Sequence, residues 1–335
     1  MKVIENYSLL KHNTFGIDAC CSRFIEYSTV EEAQQVAMQL SDNFIIIGGG
    51  SNLLLTRDYE GTVVRSSIKG CSLIKDADGE VLVRVGSGEE WDSVVALFVA
   101  NGWYGAENLS LIPGDVGASA VQNIGAYGTE VCDLIHEVEM VCIGSGEIVK
   151  VGVDECQYGY RQSRFKKEWK NKYLITHVTY RLQREFTPKL GYGNITAELQ
   201  MRGIKEPNAL QLREVIIDIR REKLPDPAVE GNAGSFFMNP VVSRQKFESL
   251  LKEYPHMPHY FVDEQHEKIP AGWMIDQCGW KGRTIGHAGV HSRQALVLVN
   301  RGGATGSEIV DLCNAIRKDV AERFGIDLHP EVNII

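Results

Sequence analysis

Five short stretches carry residue types that could do chemistry together. Gly48-Gly49-Gly50-Ser51-Asn52 follows an apolar run, and its glycines allow main-chain N–H groups to approach a phosphate closely. Ser51 and Asn52 add side-chain donors. A tight hairpin turn is the competing reading of this stretch. The segment from Pro113 to Gly128 packs Gly114, Gly117, Ser119, Asn123, Gly125 and Tyr127 into sixteen residues, a composition suited to touching a pyrophosphate or a ring edge. Tyr158-Gly159-Tyr160-Arg161-Gln162-Ser163 sets a guanidinium between aromatics, as a carboxylate or phosphate clamp requires. Ser235 lies between a glycine and two phenylalanines, and Glu331 is a lone carboxylate near the end. Ser235 is not in a G-x-S-x-G context, so a hydrolase elbow is not supported.

The elements that must position these groups are legible in part. Thr29 and Glu32 form a capping-box pattern before Ala33, Val36, Ala37 and Leu40 at helical spacing. Phe44–Ile47, then Leu53–Leu55, read as strand, turn, strand. Val63 and Val64 suggest another short strand, and Val81–Val85 a longer one. Ser87 and Glu90 predict a second capping box ahead of Trp91, Val94, Val95 and Phe98, with Gly102 as the stop. The 111–128 stretch reads as a long glycine-rich connector. Strands are expected at 137–143 and 173–182, and Asn208 should cap a helix bearing Leu212, Val215, Ile216 and Ile219. Leu224-Pro225-Asp226-Pro227 breaks the chain and marks a domain boundary. A helix at 243–254, a strand at 295–299, a helix from Ser307 to Gly325 and a final strand at 330–335 complete an α+β or α/β pattern.

Composition bounds the function class. A chain of 335 residues suggests two or three domains. Its net charge of −9, without a basic block, argues against nucleic acid or a membrane surface as partner. The eight cysteines form no C-x-x-C pair, so packed, reduced thiols are expected. The nine histidines show no ligand spacing, and no metal is expected. No stretch approaches the ~20 apolar residues of a membrane span, and no leader pattern opens the chain, so a cytoplasmic location is expected.

Taken jointly, these segments resemble the UDP-N-acetylenolpyruvoylglucosamine reductases. The resemblance rests on Asn13-Thr14-Phe15-Gly16, Gly48–Asn52, Ile112-Pro113-Gly114 with Gly117, and Gln122–Gly128. It continues through Tyr158–Arg161, Lys223–Pro227, Gly231–Phe237 with Asn239-Pro240, Ala271–Asp276, His291 with Gln294–Val297, and Pro330-Glu331-Val332. Gly191-Tyr192-Gly193 resembles the tyrosine loop of the longer, type I subgroup. The tail departs from the family pattern at Asn333, where a basic residue is expected.

The resemblance implies a two-part FAD-binding fold of the PCMH or vanillyl-alcohol-oxidase type, with a smaller α+β substrate domain. The expected division is 1–69 and 70–223 for the FAD-binding halves, with the C-terminal strand 326–335 joining the second, and 224–325 for the substrate domain. It implies non-covalent FAD, NADPH as co-substrate, a UDP-sugar enolpyruvyl ether as substrate, and a monomer acting in peptidoglycan-precursor synthesis. By similarity, Arg161 sits by the substrate carboxylate and Ser235 is the general acid. Glu331 either orients Arg161 or, if protonated, donates a hydrogen bond. Gly48, Gly50, Ser51, Asn52, Gly114, Gly117, Ser119, Asn123, Gly125 and Tyr127 are expected to line FAD. Tyr160, Tyr192, Lys223, Asn239, Lys281 and Gln294 match positions expected to hold the UDP-sugar. Two readings compete: another FAD oxidase of the same superfold, and a nucleotide-sugar binding module without turnover.

Overall fold

A computed structural model describes residues 1–335. The chain divides into two compact units. Unit 1 comprises 1–7, 21–49 and 60–222, and unit 2 comprises 8–20, 50–59 and 223–335. Strands and helices are numbered in chain order.

Unit 1 contains two sheets. The first has the order β1 (Lys2–Ser8), β2 (Cys20–Tyr27), β5 (Tyr59–Ser66), β3 (Phe44–Ile47). The second has the order β11 (Ile148–Gly152), β10 (Ile135–Cys142), β12 (Tyr173–Gln183), β7 (Glu80–Gly86), β6 (Cys71–Ala77), and its pairings are antiparallel. A short ribbon joins β8 (Gly125–Ala126) to β9 (Thr129–Glu130). The helices are α1 (Val30–Gln39), α2 (Trp91–Ala100), α3 (Val116–Gln122), α4 (Ile195–Met201) and α5 (Ala209–Lys223). Period-2 alternation in β7 sends Val81, Val83 and Val85 into the core. The apolar stripe of α2 meets them there, with Trp91 and Phe98 edge-on to Tyr180 at 5.6 and 5.8 Å.

Unit 2 contains the sheet β13 (Gly231–Ser235), β19 (Val297–Asn300), β18 (Ala288–Val290), β17 (Thr284–Ile285). A second sheet has β14 (Val241–Ser243), β16 (His266–Lys268) and β15 (Tyr260–Asp263). β20 (Asn333–Ile334) lies parallel to β4 (Leu53–Leu54). The helices are α6 (Arg244–Glu253), α7 (Ala271–Gln277) and α8 (Gly306–Phe324). In α8, Ile309, Leu312, Ile316 and Val320 are buried at helical spacing.

Several expectations are met. Thr29 caps α1 by accepting from the Glu32 N–H, although the Glu32 carboxylate reaches Ser28 instead of its own cap. Asn208 and Gln211 cap α5 reciprocally at 2.9 and 3.0 Å. Others are corrected. The stretch 44–55 is strand, turn, strand as expected, but the competing hairpin does not form, because β3 pairs with β5 and β4 with β20. The Ser87/Glu90 box does not form. The Ser87 hydroxyl is 2.6 Å from that of Ser66, and the first helical N–H, at Trp91, donates to the Gly114 carbonyl. The 111–128 stretch is no irregular connector, since it winds into α3. The tail strand is shorter than expected, and its partner lies at Leu53–Leu54 rather than within 70–223. No helix is long and apolar enough to cross a membrane.

Candidate active site

In unit 1 the site is built around Arg161. Residues 159–162 make a tight turn closed by reciprocal main-chain bonds between Gly159 and Gln162. Arg161 sits at its tip with φ 54°, a left-handed conformation that a non-glycine residue adopts at a cost. The turn aims the guanidinium inward. Its Nη2 donates to the Gly125 carbonyl at 2.6 Å and its Nη1 to the Asn123 carbonyl at 3.3 Å. The Tyr160 ring stacks 5.4 Å away. A Cβ at Gly125 would come within 2.9 Å of Arg161 Nη1 and 3.1 Å of the Thr129 carbonyl, so any larger residue there requires one of these neighbours to shift.

Asn123 is the keystone of the same loop. It is fully buried with φ 44°, and its amide nitrogen donates to Glu130 and to the Gly159 carbonyl, both at 2.9 Å. Its amide oxygen accepts from the Cys132 N–H. The Asn123 side chain therefore holds the 123–132 loop against the Arg161 turn. Ser119, also buried, donates to the Val116 carbonyl at 2.7 Å and lies 3.4 Å from the Tyr180 hydroxyl. Its hydroxyl faces the core of the unit.

The first glycine loop reaches the start of α3. A Cβ at Gly48 would meet Ala118 at 2.8 Å, and one at Gly49 would meet the Gly114 main chain at 3.2 Å. Gly117 packs equally tightly on Ser87. Asp115 is buried there, 3.4 Å from Arg65, and burial raises its pKa against the opposing pull of that arginine. Tyr127 is half-buried. Burial pushes its phenol pKa up, while Arg220 pulls it down. Burial in turn lowers the pKa of Arg220, which feels Tyr127, Asp92 and Arg161. Tyr160 and Tyr192 are exposed in this unit, and a Cβ at Gly128 would lie 3.6 Å from Tyr192.

In unit 2 the geometry centres on β13. Asn232 accepts from the Gly234 N–H and donates to the Glu230 carbonyl, and Thr14 donates to the Asn232 carbonyl at 2.6 Å. Gly234, at φ 69°, turns the chain so that Ser235 is exposed at the strand end. Phe236 and Phe237 are fully buried and anchor it. The Glu331 N–H donates to the Phe236 carbonyl at 2.8 Å, and the Met238 N–H to the His329 carbonyl. The structure thus draws Ser235 and Glu331 together across nearly a hundred residues of sequence. Asn52 joins them, donating to the Glu331 carbonyl at 3.3 Å and accepting from Asn333 at 3.0 Å. Gly50, at φ 70°, lies where a Cβ would strike the His12 carbonyl at 2.0 Å, and Ser51 follows half-exposed.

Asn239 accepts from the Ala271 N–H at the start of α7. Gln294 stands beside that start, 3.1 Å from a Cβ at Gly272. Lys223 is half-buried, and Lys281 is exposed, 3.6 Å from Asp276. The expected residues therefore fall into two groups. Unit 1 holds Gly48, Gly114, Gly117, Ser119, Asn123, Gly125, Tyr127, Tyr160, Arg161 and Tyr192. The remainder lie in unit 2. Asn108, Asp115 and Arg220 escaped the sequence reading, because single buried polar residues carry no spacing signal.

Comparison with known proteins identifies the family. A family model described as an FAD binding domain matches residues 25–152, and one described as the UDP-N-acetylenolpyruvoylglucosamine reductase C-terminal domain matches 226–335. The UDP-N-acetylenolpyruvoylglucosamine reductase of Bacteroides fragilis is 53% identical, over 99% of both chains. That of Flavobacterium johnsoniae is 44% identical over the whole of both. A crystal structure of the Thermus caldophilus reductase shares the fold, with TM-score 0.68 and 22% identity over 99% of this chain and 98% of its own. The residues present fit a flavin: glycines bring main chain rather than side chains up to Arg161, and the buried Thr129 hydroxyl on the β8–β9 ribbon has no partner. By full-length identity the chain is an FAD-dependent oxidoreductase that belongs to the UDP-N-acetylenolpyruvoylglucosamine reductase family.

Proposed function

We propose that the chain reduces the enolpyruvyl ether of UDP-N-acetylglucosamine to the lactyl ether, giving UDP-N-acetylmuramate for peptidoglycan precursors, with NADPH as reductant. Non-covalent FAD, when bound, supplies the hydride that reaches C3 of the enolpyruvyl group. Charge then develops at C2 and spreads into the carboxylate. Arg161 meets that carboxylate with a guanidinium already fixed by two carbonyls, so little reorganisation is needed as charge grows. The Ser235 hydroxyl donates the proton to C2, and Glu331 supports the same step. The observation that carries this reading is the tether from the Glu331 N–H to the Phe236 carbonyl, which fixes the carboxylate residue next to the acid.

Gly48, Gly50, Ser51, Asn52, Gly114, Gly117, Gly125 and Tyr127 line the FAD in this proposal, and Ser119 and Asn123 hold the loop that does so. Tyr160, Tyr192, Lys223, Asn239, Lys281 and Gln294 take the UDP-sugar, the lysines acting as point charges on the diphosphate. Residues 1–69 and 70–223 form the FAD-binding halves, the 326–335 strand completes them through β4, and 224–325 is the substrate domain. The protein acts as a cytoplasmic monomer.

Ser235→Ala tests the assignment. NADPH should still bleach the flavin in this variant, while reoxidation by the enol ether slows by about 10²–10⁴-fold, the usual contribution of a positioned acid. Reoxidation at the wild-type rate would remove Ser235 from the role.

A further inference from the structure

Asn108 lies in a single helical turn, Glu107–Leu109, and is 3% exposed. Its amide nitrogen donates to the Tyr127 carbonyl at 2.8 Å and to the Lys189 carbonyl at 3.0 Å. These two acceptors are 62 residues apart and belong to different stretches of unit 1. Tyr127 ends the Gly125–Tyr127 stretch whose main chain holds Arg161. Lys189 opens the loop that carries Tyr192. The two stretches are also packed on each other: a Cβ at Gly193 would lie 3.4 Å from the Tyr127 ring, and one at Gly128 would lie 3.6 Å from Tyr192. Both sit on the apolar cluster of α4 and α5, where Tyr127, Phe186 and Leu190 cover Ile195, Leu199 and Leu212.

Packing of this kind is non-directional and sets no register. The paired donors of one buried amide do. A carbonyl that loses its donor in such surroundings must find water or shift, so the position of each stretch depends on the other through Asn108.

We propose that Asn108 is a positioning residue that fastens the Tyr192 loop to the Arg161-holding segment, so that the substrate contact is registered against the reacting centre. This rests on the proposed function in taking Tyr192 as a UDP-sugar contact. The tether itself does not depend on that reading.

The test uses Asn108→Leu in the FAD-loaded protein, a substitution of similar size with no donor. Trypsin cleavage after the exposed Lys189 should quicken about ten-fold, matching the loss of roughly two neutral hydrogen bonds. KM for the UDP-sugar should rise by about the same factor, with a smaller change in kcat. If that variant does not fold, Asn108→Ser keeps one donor and should show the same two changes at reduced size. Wild-type cleavage with wild-type KM overturns the proposal, as does a fall in kcat alone with cleavage unaltered. A wild-type protein that does not turn over the UDP-sugar overturns the proposed function, and the cleavage rate then decides on Asn108 alone.

Discussion

At the scale of single residues, the proposed site depends on close approaches between main chain and side chains. Gly125 is the sharpest case. Its carbonyl takes the Arg161 guanidinium at 2.6 Å, and a Cβ there would sit within 2.9 Å of the same side chain and 3.1 Å of the Thr129 main chain. In Gly125→Ala the Arg161 guanidinium and the Thr129 main chain must give by a few tenths of an ångström. A displacement near 1 Å at a reacting centre costs about 10²-fold, so this smaller shift should lower kcat/KM of the folded variant by roughly ten-fold in steady-state assays. An unchanged value would show that Arg161 need not be held by Gly125. That Arg161, Ser235 and Gly125 are candidate site residues was legible because each sits in a dense, distinctive motif. What Asn123 and Ser119 do was not. Both motif positions suggested side chains turned toward a ligand, whereas their polar atoms are engaged inside the unit.

At the scale of elements, local patterns succeeded where the partners are local, as at the Asn208 cap of α5. α8 begins at Thr305, whose hydroxyl accepts from the Glu308 N–H, while the Glu308 carboxylate takes the Thr305 N–H at 2.8 Å and the His287 N–H at 3.2 Å. These main-chain donors, Thr305 first and then His287, lower the Glu308 pKa to about 2 from an ordinary 4.5. A depressed carboxylate contributes stability above its unfolded pKa and loses it as pH falls through the folded one. Glu308→Gln should accordingly melt below wild type at pH 7, with the gap narrowing as pH drops from 4.5 toward about 2. Thermal melts across that range check it, and a gap independent of pH would contradict the ionised cap. The Ser87/Glu90 pattern failed for the opposite reason. The α2 start is satisfied by Gly114, a partner that no window around Ser87 contains. α3 was hidden because its seven residues bury only small or short side chains, Val116, Gly117, Ser119 and Ala120, which leave no apolar stripe.

At the scale of the whole molecule, mixed periodicities left α+β and α/β both open, the resemblance pointed to α+β, and the assembly of the units had no signal in the sequence. Segments 8–20 and 50–59 join the C-terminal part of the chain, and β20 finds its partner at Leu53–Leu54. Parallel pairing over such a separation leaves no trace in composition or spacing. The same long-range closure sets Glu331 beside the Ser235 strand, and the proposed chemistry depends on it. In the proposed function one protein oxidises NADPH and passes the electrons to a UDP-sugar enol ether. An anaerobic absorbance spectrum tests it most directly, recorded on the FAD-loaded protein, then after NADPH, then after UDP-N-acetylenolpyruvoylglucosamine. The account predicts that the flavin bands bleach with NADPH and return with the enol ether. Bands that bleach and stay bleached, or no flavin bands in protein supplied with excess FAD, would contradict it.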